Sequence, residues 1–284
     1  DAWDIDAGYA EQGQFLPATQ ALDVVEAGPH RVAVRVERSF RSSRIVQDIR
    51  LWANSPRLEF VTTIDWHDRH WLLKARFPLA VRSERATCDV AFGVVERPTH
   101  NNTSWEQARF EVVAHRFVDL ADRGYGVALL NDGKYGHDLA GNVVGLSLLR
   151  SPAYPDPRAD EGTQTFTYAL CPHTGNWVEG GVLMEAEDLN RPLFVTPVTA
   201  AEEKSWQPLA ITGLPLALGA LKVREDGGGL VLRVYEPQGA AGSVEVQPPF
   251  SWDVGAELDL LEDEIGTPDF EFTPFKVRTW LLTR

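Results

Sequence analysis

The stretch RVAVRVE (31–37) decides the fold class. Val32, Val34 and Val36 alternate with Arg31, Arg35 and Glu37. A period of two sends successive side chains to opposite faces of a strand, whereas a helix repeats its apolar positions every three to four residues. The same alternation returns in RLEFVTTI (57–64), where Leu58, Phe60 and Ile64 share a face and Arg57 and Glu59 take the other. It returns again in LVLRVY (230–235), where Leu230, Leu232 and Val234 alternate with Arg233 and the phenol of Tyr235. One apolar and one wet face is the pattern of antiparallel sheets. Gly, Pro, Asn and Asp clusters break the runs at short intervals. The best helix candidate is 178–189, stopped by the Arg191-Pro192 step, because proline cannot continue a helix. Many short strands without alternating helices predict an all-β sandwich or barrel.

Residues 195–215 are rich in Pro, Thr and Ala and interrupt this rhythm. Beyond them about six short strands are predicted, among them LVLRVYE (230–236), SVEVQ (243–247), ELDLLED (257–263) and KVRTWLL (276–282). The expected organisation is a large sandwich at 1–200, a linker at 201–215 and a small sandwich at 216–284.

Charge excludes one class of partner. Asp and Glu number 41 against 27 Lys and Arg, a net charge of −14, so nucleic acid would be repelled over most of the surface. No apolar run reaches the roughly 18 residues that cross a bilayer, so no membrane partner is expected. Cys88 and Cys171 are the two cysteines, too few for a disulfide-built scaffold. The NNTS segment (101–104) carries overlapping glycosylation sequons that matter only in a secreted eukaryotic chain. The chain opens on Asp1, not Met, as expected of a piece of a longer protein.

Several segments invite a chemical reading. HDRH (67–70) offers two histidines at i and i+3. These share a face on a helix but not on a strand, and a hairpin turn with solvated polar residues is the expected form. Gly227-Gly228-Gly229 lacks the Lys-Ser/Thr and the helix of a phosphate loop, and reads as a hairpin turn. The segment NDGKYGHDLAG (131–141) reads as a long loop joining the strands YGVALL (125–130) and NVVGLSLL (142–149). Its Asp132, Lys134, Tyr135, His137 and Asp138 mix hydrogen-bonding groups with an aromatic ring, a set suited to a polyol surface or to packing on a neighbouring domain. Arg150 ends the second strand, before SPAYPDP (151–157). An eight-residue strand covers about 26 Å, so Arg150 and the 131–141 loop are expected to lie apart unless the hairpin bends.

Several longer stretches occur in an order that resembles one family. They are DAWDID (1–6), DWHDRHWLLKARFP (65–78), FGVVERPTHNNTSWEQARFE (92–111), GYGVALLNDGKYGHD (124–138), LSLLRSPAYPDP (146–157) and FTYALCPH (166–173). LVLRVYEPQG (230–239) and FKVRTWLL (275–282) also fit. Together they resemble the C-terminal region of family-38 α-mannosidases, most of all the bacterial and fungal vacuolar branch. The resemblance implies an all-β fold, with a large antiparallel supersandwich like that of galactose mutarotase followed by a small sandwich. It implies a retaining exo-α-mannosidase whose zinc ion and nucleophilic Asp lie in an N-terminal α/β catalytic domain that these residues do not match. No metal ligand and no nucleophile is carried over to this chain, which is expected to be inactive alone. By motif position, Arg150 looks like the family's sugar-facing arginine, while the 131–138 loop is a candidate for the pocket rim on its own residues. The implied partners are the catalytic domain and α-mannosides or oligosaccharides, with a possible homo-oligomer. In relatives, strands precede the DAWDID position, so the supersandwich is expected to begin upstream. Sparse cysteine and the resemblance imply a cytoplasmic location.

Two other readings remain open. A free-standing carbohydrate-binding module would bind sugar by itself through Trp stacking. A true mutarotase would need a His acid and a Glu base on one concave sheet; His100, His115, His137 and His173 are available, and no spacing singles one out.

Overall fold

The computed structural model describes residues 2–19, 22–198, 209–248 and 252–284. Residues 201–208, the first part of the expected linker, lie outside them, as do residues 199–200 and Asp1 of the DAWDID motif. The chain divides into two units: Asp1–Asp89 with Val95–Leu193, and Val90–Val94 with Phe194–Arg284.

Among the described residues, thirteen strands and two α-helices precede residue 194, in the order β1 (Asp23–Ala27), β2 (Arg31–Phe40), β3 (Ser43–Trp52), β4 (Leu58–Trp66), β5 (Leu73–Pro78), β6 (Arg85–Val90), β7 (Gly93–Pro98), α1 (Ser104–Gln107), β8 (Val112–Val113), β9 (Phe117–Ala121), β10 (Tyr125–Asn131), β11 (Gly136–Ala140), β12 (Val143–Leu149), β13 (Gly162–Thr174) and α2 (Val182–Asn190). A nine-stranded sheet has the order β1-β2-β3-β4-β13-β10-β9-β6-β7, and a four-stranded sheet the order β5-β12-β11-β8. The pairings β4–β13–β10 and β5–β12–β11 are antiparallel. The large antiparallel sandwich expected from period-two alternation is the observed architecture.

Between the sheets lies one apolar core, to which both contribute: Ile64, Trp66, Val118 and Leu129 from the larger, Val144, Leu146 and Leu148 from the smaller. Phe40 stacks on Trp66 with ring centroids 5.7 Å apart, and Phe60 on Tyr168 at 5.0 Å. The Tyr168 hydroxyl stays satisfied in this interior, because it accepts from Gln47 Nε2 at 2.7 Å; the same Gln47 amide donates to Thr62 Oγ1 at 3.0 Å. Burial pushes the Cys88 thiol up to about 11 and the Cys171 thiol up to about 12, leaving both protonated and unreactive at neutral pH.

The outer face of the smaller sheet is charged. On β5, Leu73, Ala75 and Phe77 pack on the core, so Lys74 and Arg76 project the other way. Lys74 Nζ meets the Glu111 carboxylate, Asp138 Oδ1 at 2.8 Å and Ser147 Oγ at 3.1 Å. Arg76 holds Asp138 Oδ2 at 3.0 Å. A Cβ on Gly145 would stand 1.9 Å from Asp138 Oδ1, so that glycine makes room for the carboxylate. The cluster also fastens the start of the chain. A 3-10 helix at Ala7–Gln12, capped by Asp6, carries Tyr9, whose hydroxyl donates to Glu111 Oε1 at 2.6 Å.

In the first unit three sequence expectations need correction. HDRH is a corner between sheets, not a hairpin turn within one, because β4 belongs to the larger sheet and β5 to the smaller. The 131–141 segment is not one long loop. Its second half forms β11, pairing Ala140 with Val143 and His137 with Leu146, and only 132–135 remain as a connection. The helix expected at 178–189 starts later, at Val182, since Gly181 caps it in the left-handed region at φ 65° and 177–181 form turns.

The second unit holds β14 (Ala210–Gly213), β15 (Ala217–Val223), β16 (Leu230–Tyr235), β17 (Gly242–Gln247), β18 (Asp253–Leu258), β19 (Glu264–Gly266), β20 (Glu271–Phe272) and β21 (Val277–Thr283). They form a five-stranded sheet, β15-β16-β21-β18-β19, and a three-stranded one, β14-β17-β20. Leu232, Val234, Val244, Phe272, Trp280 and Leu282 fill the space between. Strand β14 falls within the expected linker, where Pro and Ala mask a short strand that pairs Ala210–Gly213 with 244–247. The triple glycine is the β15–β16 hairpin turn, with Arg224 N donating to Gly229 O at 3.0 Å. ELDLLED is mostly turn, not strand: Asp259 Oδ1 accepts from Leu261 N and Asp263 N at 2.8 and 3.0 Å. Such a carboxylate turns the chain despite the apolar residues beside it. Glu236 is fully buried after β16. Its carboxylate accepts from Gln238 N at 2.7 Å, Gly239 N at 2.8 Å and Phe275 N at 3.0 Å.

Candidate functional site

Three chain crossings between the sheets of the first unit gather at one end of the sandwich. They are 67–72 from β4 to β5, 132–135 from β10 to β11, and 150–161 from β12 to β13. The strands they join are neighbours in both sheets, β4-β13-β10 in one and β5-β12-β11 in the other. Connections that leave adjacent strands at one end arrive side by side.

Asn131 shapes the second corner. Its buried side chain accepts from Gly133 N at 3.0 Å and Lys134 N at 2.8 Å, and donates to His115 O at 2.7 Å. Gly133 has φ 147°, open to glycine and strained for other residues. Asp132 Oδ2 accepts from Thr167 N at 2.8 Å. Although Asp132 keeps much of its surface in water, packing around the carboxyl raises its pKa above the usual range. Lys134 Nζ lies 4.4 Å from the centre of the Phe166 ring and donates to Gln164 Oε1 at 3.4 Å. Burial lowers its pKa, which Asp160 and Asp132 partly offset. Tyr135 is 54 % exposed, its ring 5.4 Å from that of His115.

Arg150 lies in the third corner, held by its backbone. Asp160 Oδ2 accepts from Arg150 N at 2.9 Å and Ser151 N at 2.8 Å. Ser151 is buried with φ 43° and is fixed by donating to Trp71 O at 2.8 Å and by accepting His70 N on its carbonyl at 3.0 Å. Among the described residues, the half-buried Arg150 guanidinium has no hydrogen-bond or ion-pair partner. The separation expected between Arg150 and the 131–138 segment does not arise. Strand β11 carries the chain back along β12, and Lys134, Gln164, Asp160 and Arg150 become one linked series.

His137 is the exception among the sequence candidates. It is fully buried, on the same face of β11 as the core residue Leu139, and cannot reach a rim. Its Nδ1 faces Tyr135 O at 3.2 Å, and Nε2 is buried without a partner among the described residues. Reading 136–140 as loop hid the strand parity that sends 137 inward. Asp160 and Gln164, which join the corners, escaped notice because each looks like an ordinary surface residue.

Burial lowers the His137 pKa to about 4. The unfolded chain, with an ordinary histidine, then binds the extra proton between about pH 6.5 and pH 4, so stability is complete above that window and falls through it. His173 carries the opposite sign. Burial alone would lower its pKa, but Asp119, 2.8 Å from Nε2, outweighs this and raises it. Its contribution is complete below about 6.5 and fades as pH rises through the folded value. Urea melts at pH 7 and pH 4.5 are expected to show the wild type losing about 2–3 kcal/mol through His137. His137→Leu should remove that part of the slope; an unchanged slope would refute the assignment.

The corner offers an unpaired guanidinium, an ammonium over a ring, a carboxylate and an exposed phenol. Such groups grip hydroxyls from several sides. Among the described residues, no three His, Cys, Asp or Glu side chains are placed to share a metal ion.

Residues 1–158 match the family described as "Glycosyl hydrolases family 38 C-terminal domain". Residues 215–280 match "Glycosyl hydrolases family 38 C-terminal beta sandwich domain". "Alpha-mannosidase 2C1" of Homo sapiens is 41% identical over 297 residues, which cover 99% of this chain and 29% of the human protein. The Mus musculus protein of that name is 38% identical with the same coverage. An α-mannosidase of Enterococcus faecalis V583 has a solved structure with the same fold, at TM-score 0.78 and 21% identity over 94% of this chain and 35% of that one. The chain thus spans about 29% of the length of the mammalian relatives.

Proposed function

The chain belongs to glycosyl hydrolase family 38 as its C-terminal region, and from that premise we propose that it is the non-catalytic β part of a retaining exo-α-mannosidase. It supports a catalytic domain elsewhere in the same protein and closes one side of the mannose pocket. The observation that carries this reading is the corner where Arg150, with its guanidinium unpaired, is linked through Asp160 and Gln164 to Lys134, whose charge Asp132 also faces. In this reading Arg150 donates to mannose hydroxyls, Lys134 and Asp132 hold the neighbouring rim, and Tyr135 covers its edge. Bond cleavage and the zinc ion belong to the catalytic domain.

The test is hydrolysis of a chromogenic α-mannoside with added zinc by this chain, by the N-terminal remainder of the enzyme, and by the two mixed. Activity is expected only in the mixture. There Arg150→Ala should lower kcat/KM by about 10- to 100-fold, the worth of a charged hydrogen bond. Activity from this chain alone would overturn the reading. Inactivity in all three, with sugar binding by the isolated chain, would favour a carbohydrate-binding module instead.

A further inference from the structure

Four residues beyond Arg150, the first unit carries an aromatic pair that the corner does not use. Trp3 and Tyr154 meet with ring centroids 5.6 Å apart and planes inclined at 57°. Both remain open to water, Trp3 at 72% and Tyr154 at 64%. Two rings in contact that each keep about two thirds of their surface exposed still present ring face to solvent. Large aromatics left in water on a rigid frame mark recognition surfaces.

The frame is rigid at both ends. Ala2 N donates to Tyr154 O at 2.9 Å, which ties the two strands of chain beside the rings. Further along, the Asp6 cap and the Tyr9–Glu111 hydrogen bond fasten the same N-terminal segment over the smaller sheet. On the other side, Asp160 and the Trp71 carbonyl hold the start of the 150–161 corner. Asp156 closes its end by accepting from Arg158 N at 2.9 Å. Rings held in place before binding lose little freedom when they bind.

The surroundings select the ligand. Asp4, Asp6, Asp156 and Arg158 lie on the same two segments, a mixture of acceptors and a donor that suits hydroxyls on a neutral ligand. Four residues of chain reach at most about 14 Å, so the backbone at Tyr154 lies no farther than that from the backbone at Arg150. We propose that Trp3 and Tyr154 form a stacking platform for a second, uncharged hexose, the sugar from which the terminal mannose is cut. This rests on the reading of the corner as the mannose pocket and adds the position next to it.

The full-length enzyme separates the two with two substrates. α-Mannobiose carries a second sugar, and α-mannosyl fluoride carries none. Trp3→Ala and Tyr154→Ala are expected to lower kcat/KM on mannobiose about tenfold each, and to leave the fluoride unchanged. Tyr154→Trp, which keeps a ring, should stay near wild type on both. Equal losses on the two substrates would overturn the platform and make the pair a contact with the catalytic domain. No loss on either would also overturn it. A wild-type enzyme that cleaves neither substrate would sink the underlying mannosidase reading, and the platform with it.

Discussion

Lys74→Met is expected to cost the first unit about 3 kcal/mol or more. The substitution keeps the length of the side chain and removes its charge. Lys74 is nearly out of solvent and stands between the Glu111 and Asp138 carboxylates. Arg76 still holds Asp138 from the other side, so the group left without a cation is Glu111. Tyr9 donates to Glu111 but brings no charge. Burial first, and Glu111 after it, raise the Tyr9 pKa further above its usual value, so the phenol stays neutral. Breaking one side of a buried ion cluster typically costs about 3–5 kcal/mol, because the stranded charge has lost its hydration. Urea denaturation followed by the buried Trp66 should report the loss. Glu111→Gln added to Lys74→Met should recover much of it, since the stranded charge is then gone. A single mutant within about 0.5 kcal/mol of wild type would mean that water reaches the cluster.

The second large effect belongs to Glu236. Its carboxylate is fully buried and accepts three backbone N–H groups from two separate stretches, 238–239 and 275. Glu236→Gln changes one oxygen into an NH2, which turns a donor toward a backbone donor. Hydrogen bonds to a charged group are worth about 1.5–3 kcal/mol each, and at least one is lost while its N–H stays buried. A loss of about 3 kcal/mol is expected from the glutamine, and more from Glu236→Ala, which abandons all three donors. Amide exchange at Gln238, Gly239 and Phe275 is the direct measurement. In the glutamine variant these three should exchange markedly faster at pH 7, ahead of amides in β21. If they keep wild-type protection, the carboxylate is not what holds them.

Much of the fold was legible because period-two alternation is a local property. Strands β2, β4 and β16 could be read from their own residues. The sheet to which each strand belongs could not. YGVALL shows why: Val127 and Leu129 pack in the core, while Ala128 and Leu130 are buried as well. An unbroken apolar run says that both faces are covered and gives no partner. Without the partners, 131–141 looked like a loop across a hairpin, and Arg150 seemed far from Lys134. The chemistry of Arg150 and Lys134 was visible in the sequence. Their meeting was not, because it runs through Asp160 and Gln164, a turn residue and a surface strand residue.

The three crossings at one end of the sandwich also bear on folding order. They bring together positions near 70, 133 and 155, separated by tens of residues of chain. None of these contacts is local, and each requires both sheets to be paired and stacked first. Contacts of that kind come late, after the loop entropy of long-range pairing has been met. A chain with only one sheet assembled would hold the residues of the corner without the corner itself. Ligand recognition there would therefore appear in the last step of folding, as a property of the finished sandwich.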